Sequence, residues 1–261
     1  MDSRMDAHAA KAALEWQIEL GATEAIDDAP RNRYDLPAKA PAPKKARPVG
    51  AVAPENLPTE SDPVAEAEQA VANVRTLEEL QAAIAAFDAC ELKRGARNLV
   101  FADGNPHARV MIVGEAPGRD EDREGRPFVG RAGHLLDKMF AAIDLSRTAP
   151  DPEHALYITN ILPWRPPQNR DPKPEEIAMM RPFVFRHIDL VGPDILVLMG
   201  NIACQGLLGK RGITRLRGKW QELGGRPVMP MFHPAYLLRN PSAKRETWQD
   251  LLALKEKLGE S

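Results

Sequence analysis

Four short apolar runs, each separated from the next by a helical pattern, constrain the fold of this 261-residue chain more than any other feature. RVMIV (109–113), ALYIT (155–159), DILVLM (194–199) and RPVMPMF (226–232) have the length and aliphatic character of buried strands. Helical patterns fill the intervals. GRAGHLLDKMFAAI follows the first strand and Pro174–Leu190 the second. Pro174 sits near the first turn, where a missing N–H costs nothing. NIACQGLLG is a short helix closed by Gly209, and Ala243–Leu258 ends the series. Strands alternating with helices imply parallel strands joined by right-handed crossovers, so the fold class is α/β, a three-layer domain. In such sheets ligands gather beyond the C-terminal strand ends.

Proline and aromatic residues mark where this domain begins. Eight of the 24 prolines lie between Pro30 and Pro63, whereas 12 of the 14 aromatics lie at or beyond Phe87. A stretch rich in Pro, Ala and charge cannot bury enough apolar surface to offset its ordering entropy. The expected organisation is an N-terminal helical segment (1–25), a disordered linker (26–64) and a folded domain (65–261). Within the first, residues 9–20 read as a helix, either docking a protein partner or packing on its own domain. Residues 64–86, with Val71, Val74, Leu77, Leu80 and Ile84 at helical spacing, read as one further helix.

The net charge of −2 argues against a uniformly basic nucleic-acid binder, but it averages unlike parts. Residues 1–86 carry −6 and residues 87–261 carry +4. Within 211–245, eight basic residues face one acid, Glu222. No apolar run approaches the roughly 20 residues of a membrane span, and the first residues lack the apolar core of a signal peptide. Two cysteines, Cys90 and Cys204, exclude a disulfide scaffold and favour a soluble cytoplasmic protein, expected to be a monomer.

Three of the four strand ends run into unusual sequence. GEAPGRDEDREGRPFVGRAG (114–133) is too rich in Gly for regular structure and lacks both common phosphate-binding glycine patterns. Phe128 within it is either a plug on the core or a stacking platform for a planar ligand. YITNILPWRPPQNRDP (157–172) places Asn160 at a strand end. Its amide, with one acceptor and two donors, either caps a turn or reads a base edge. MFHPAYLLRNPSAKR (231–245) places His233 at the same edge of the sheet.

Together, in this order and spacing, these three motifs resemble those of the family 4 uracil-DNA glycosylases, over about Phe87–Leu258. The resemblance implies an α/β/α sandwich around a central four-stranded parallel sheet, the uracil-DNA glycosylase fold. It implies hydrolysis of the N-glycosidic bond of deoxyuridine in DNA, the first step of base-excision repair. By the same resemblance Phe128 stacks on uracil, Asn160 reads its edge and His233 faces O2. Glu115 orients or deprotonates the attacking water, or else shapes the pocket against thymine's methyl. Ala116 and Pro117 help to hold that water. Leu237 wedges into the gap left by the flipped base, Arg239 grips a neighbouring phosphate, and Arg217 and Lys244 belong to the basic face. The alternative is a slow or non-catalytic uracil-DNA-binding accessory module.

One departure from the family stands out. Its four-iron, four-sulfur cluster requires four cysteines, and the matching positions here are Phe87, Cys90, Trp164 and Met180. Four thiolates cannot come from two cysteines in one chain. The expectation is no cluster and no metal, with the apolar side chains packed as a plug in its place.

Overall fold

The computed structural model describes residues 62–260. The N-terminal helical segment and nearly all of the linker expected from the sequence lie outside the described residues. The described chain runs α1 (Pro63–Val71), α2 (Leu77–Ala86), α3 (Leu92–Gly95), β1 (Asp103–Gly104), β2 (Val110–Gly114), α4 (Arg119–Glu124), α5 (Arg131–Ala141) and β3 (Leu156–Asn160). It continues with α6 (Pro174–Val191), β4 (Ile195–Met199), α7 (Gly200–Leu208), α8 (Ile213–Leu216), β5 (Gln221–Leu223), β6 (Arg226–Met231), α9 (Pro234–Arg239) and α10 (Lys244–Glu260).

The sheet order is β1-β3-β2-β4-β6-β5. The four inner strands are the four apolar runs, and they pair in parallel. The two outer strands are antiparallel additions of two and three residues. Neither is long or apolar enough to register as a strand pattern, so the six-stranded sheet contains the expected four-stranded parallel core.

Side chains alternate between the two faces of the sheet, as the two-residue strand period demands. Met111, Val113, Leu196, Leu198 and Val228 join one buried cluster with α1, α2, α6 and α7. Val110, Ile112, Ile158, Val197, Met199 and Met231 join the other, with Leu136 and Phe140 of α5 and Leu251 and Leu254 of α10. These are the three layers. The region 64–86 is two helices rather than one. Thr76 caps α2, its side chain accepting from Glu79 N–H (3.2 Å) while Glu79 accepts from Thr76 N–H (3.3 Å). That reciprocal cap starts a new helix inside a continuous apolar periodicity.

Candidate active site

Register brings two motifs together at once, because Gly114 at the end of β2 pairs with Asn160 at the end of β3. The pairing continues one step further: Ile161 and Leu162 N–H donate to the carbonyls of Gly114 and Glu115, both at 3.0 Å. Gly114 is needed for its lack of a side chain. A Cβ there would lie 2.3 Å from Asn160 Oδ1 and 2.6 Å from the Phe128 ring. The Asn160 side chain and the Phe128 ring therefore meet over this one glycine.

The Gly-rich loop is held closed by Glu121, on α4. Its carboxylate accepts from Gly118 N–H (3.1 Å), Val129 N–H (3.0 Å) and Gly130 N–H (2.9 Å). Phe128 takes the left-handed conformation (φ 52), which costs about 1–3 kcal/mol for a bulky residue and needs support from its surroundings. Arg147 supplies it, donating to the carbonyls of Pro127 (2.9 Å) and Phe128 (3.0 Å) while pairing with Asp103 and Asp137. Gly133 permits the crossing beneath, where a Cβ would lie 1.7 Å from the Phe128 carbonyl oxygen. Phe128 is buried and also lies against His233, with ring centroids 5.4 Å apart. It thus belongs both to the core and to the wall of the cavity.

His233 caps α9. Its Nδ1 accepts from Ala235 N–H (3.1 Å), which leaves the proton on Nε2. Burial, aided by the charge of Arg239, lowers its pKa to about 4. At neutral pH this side chain is an uncharged Nε2–H donor. Glu115 behaves in the opposite sense: burial first, and then the nearby charge of Asp171, raise its pKa to about 7. Asn160 is only 6% exposed, and among the described residues its side-chain amide has no hydrogen-bond partner.

Glu115, Ala116, Pro117, Phe128, Asn160, His233 and Arg239 line one cavity of about 420 Å³. These are seven of the ten residues expected to handle base or DNA. Three others sit differently. Leu237 is wholly buried, packed with Phe232 and Ala243, and has no free face for wedging. Its neighbour Leu238 is 38% exposed. Leu238 lines a groove with Arg131 and Arg239 that shares Ala132, Ala235 and Arg239 with the cavity. Arg217 is tied to Asp250 and Glu246 and covers the Phe232 ring at 5.7 Å, so its charge is committed within the fold. Lys244 is exposed at the start of α10 and does not line the cavity.

Reasoning from sequence missed Glu121, Arg147, Asp171 and Tyr236. Glu121 had a signal, since Gly118 and Glu121 hold the spacing of a helix-start capping pair. Asp171 and Tyr236 line the cavity from inside two of the quoted motifs. Arg147 had no local signal, because its partners are 10 to 44 residues away.

The four positions that match the family's cluster ligands are all buried in one apolar cluster: Phe87, Cys90, Trp164 and Met180. Phe87 stands edge-on to Phe183, with centroids 5.1 Å apart. A phenyl, an indole and a thioether supply no thiolate, and burial raises the pKa of the single Cys90 thiol. These residues do not fit a four-cysteine cluster. Among the described residues, no group of three or more His, Cys, Asp or Glu is placed to hold a metal ion.

Comparison with known proteins agrees with this geometry. Residues 101–252 match the Uracil DNA glycosylase superfamily. The type-4 uracil-DNA glycosylase of Thermotoga maritima is 43% identical over 159 residues, 59% of this chain and 79% of that protein. Those of Sulfurisphaera tokodaii and Archaeoglobus fulgidus are 37% and 36% identical, covering 69% and 71% of this chain and 84% and 95% of theirs. With three motifs converging on one cavity and this likeness spanning most of the domain, the chain belongs to the uracil DNA glycosylase superfamily.

Proposed function

We propose that the cavity takes a uracil flipped out of DNA and that the chain hydrolyses its N-glycosidic bond, leaving an abasic site. Flipping costs a few kcal/mol, least at a mismatch such as uracil opposite guanine. Stacking on Phe128 returns about 1–3 kcal/mol. The observation that carries the reading is the Asn160 amide, which lines the cavity at a strand end and has no hydrogen-bond partner among the described residues. It donates to uracil O4 and accepts from N3–H. Cytosine reverses both polarities and would leave buried groups unpaired, so its rejection is strong.

As the bond to C1′ breaks, negative charge develops on the departing uracil. His233 Nε2–H donates to O2, and because the imidazole is already neutral it contributes as a fixed dipole. Such a donor typically supplies on the order of 3 kcal/mol. Glu115, ionised above about pH 7, takes the proton from the attacking water. Ala116 and Pro117 border the space beside it. Leu238 replaces Leu237 as the wedge. Arg239 and Arg131 flank it in the same groove and grip the adjoining phosphates. Lys244 adds to the basic face.

The chemistry needs no metal, and the proposed protein carries no iron–sulfur cluster, its place being filled by Phe87, Trp164 and Met180. Dense apolar packing can substitute for a cross-link at such a position. Among the described residues no helix is long and apolar enough to cross a membrane. We place the protein as a monomer in the cytoplasm with the DNA it repairs, its N-terminal segment available to a protein partner.

The test is base release from uracil-containing oligonucleotides, single- and double-stranded, followed by cleavage at the abasic site. Release by the intact protein and its loss or relaxed specificity in Asn160→Asp are expected. Binding without release would leave an accessory module. Unchanged excision by Asn160→Asp would remove that residue from base reading.

A further inference from the structure

Glu115 shares its cavity with a second carboxylate that has no structural duty. The loop after β3 turns back through Gln168 and Asn169, both at φ 55, and brings Asp171 to the cavity wall. The neighbouring Arg170 also lines the cavity, but its guanidinium is bound to both oxygens of Glu176, which also accepts from Lys173 N–H (2.8 Å). Only the backbone carbonyl of Asp171 receives a bond from Arg170, at 3.0 Å. Among the described residues no cation pairs with the Asp171 carboxylate. Glu121, His233, Tyr236 and the charged Arg239 also line the cavity. Glu121 accepts three backbone N–H groups, His233 is neutral, and Arg239 lies on the exposed face of α9.

We propose that Asp171 is a positioning residue that sets how firmly Glu115 holds the proton it takes from water. Its negative charge in the same cavity opposes a second one on Glu115. A carboxylate that binds its proton more firmly is a better base once ionised, but it is already occupied at lower pH. Asp171, exposed at the cavity wall, therefore adds to the larger effect of burial: it strengthens the base at neutral and alkaline pH and helps to protonate it in acid. The electrostatic coupling between the two residues has the required sign. The inference rests on Glu115 acting as the base.

The experiment is the pH profile of single-turnover uracil release for the full chain, for Asp171→Asn and for Asp171→Glu. The wild-type rate should fall about tenfold per pH unit below an acid limb near 7. In Asp171→Asn the limb moves to lower pH, so the variant overtakes the wild type in acid while falling to a fraction of its rate on the alkaline plateau. KM stays unchanged, and Asp171→Glu restores the wild-type limb. A carbon-13 titration of the Glu115 carboxyl in both proteins reads the same displacement without turnover. An Asp171→Asn limb at the wild-type position overturns the inference while leaving the glycosylase reading intact. A wild type with no acid limb, or a fully active Glu115→Gln, overturns the role of Glu115 and this inference with it.

Discussion

Gly114→Ala isolates the geometry of the cavity from the stability of the fold. Gly114 has no left-handed backbone, so alanine introduces no conformational strain there. Its new Cβ would stand 2.3 Å from Asn160 Oδ1 and 2.6 Å from the Phe128 ring, whereas ordinary contact begins near 3.4 Å. One or both side chains must then retreat by about 1 Å, and a misplacement of that size typically costs about a hundredfold in rate. That corresponds to about 2.7 kcal/mol of activation free energy. Overpacking of this kind destabilises by about 1–3 kcal/mol, leaving a folded protein. Single-turnover release measured beside thermal unfolding separates the two effects. Gly133→Ala is the contrast, because its Cβ would strike the Phe128 backbone carbonyl at 1.7 Å and cannot be relieved by a side-chain rotation. It should lose stability as well as rate. A folded Gly114→Ala protein that excises uracil within threefold of the wild type would refute the claim that Asn160 and Phe128 together form the base site.

Three further outcomes follow from the same geometry. Burial and Asp171 raise the folded-state pKa of Glu115 to about 7 from an ordinary 4.5, so the folded state binds the proton more tightly than the unfolded chain. Its stabilising contribution is full below about pH 4.5 and is lost as pH rises through 7. Glu115→Gln should thus be more stable than the wild type at pH 8, by on the order of 1–3 kcal/mol in denaturant unfolding, while losing excision. Leu237→Ala should cost about 2–5 kcal/mol of stability, as buried leucines do. Leu238→Ala should leave unfolding unchanged and slow release from duplex more than from single strands; the reverse pattern would restore Leu237 as the wedge. Purified protein should contain no stoichiometric iron and show no broad absorption near 400 nm, and Cys90→Ser should keep its activity. Iron found at four atoms per chain would defeat the plug of Phe87, Trp164 and Met180.

The sequence by itself determined the layered α/β architecture, the four parallel strands and the motifs whose residues line the cavity. Each of these is written in a local pattern: a buried strand needs a short apolar run, and a base pocket at a strand end needs its motif in that loop. Other features required the tertiary structure. Leu237 and Leu238 are adjacent, and a step of one residue turns a helix by about 100°. Only the packing of α9 on Phe232 and Ala243 decides which of them is buried. Arg217 belongs to a basic run, yet Asp250, 33 residues away, neutralises it. Phe128 holds its left-handed backbone because Arg147 reaches it from 19 residues beyond. The proton on His233 and the raised pKa of Glu115 depend on burial and on neighbours from other loops. Periodicity and motif spacing record what a residue does within its own element. Charge, tautomer and exposure are set by contacts between elements, and those exist only once the chain has closed on itself.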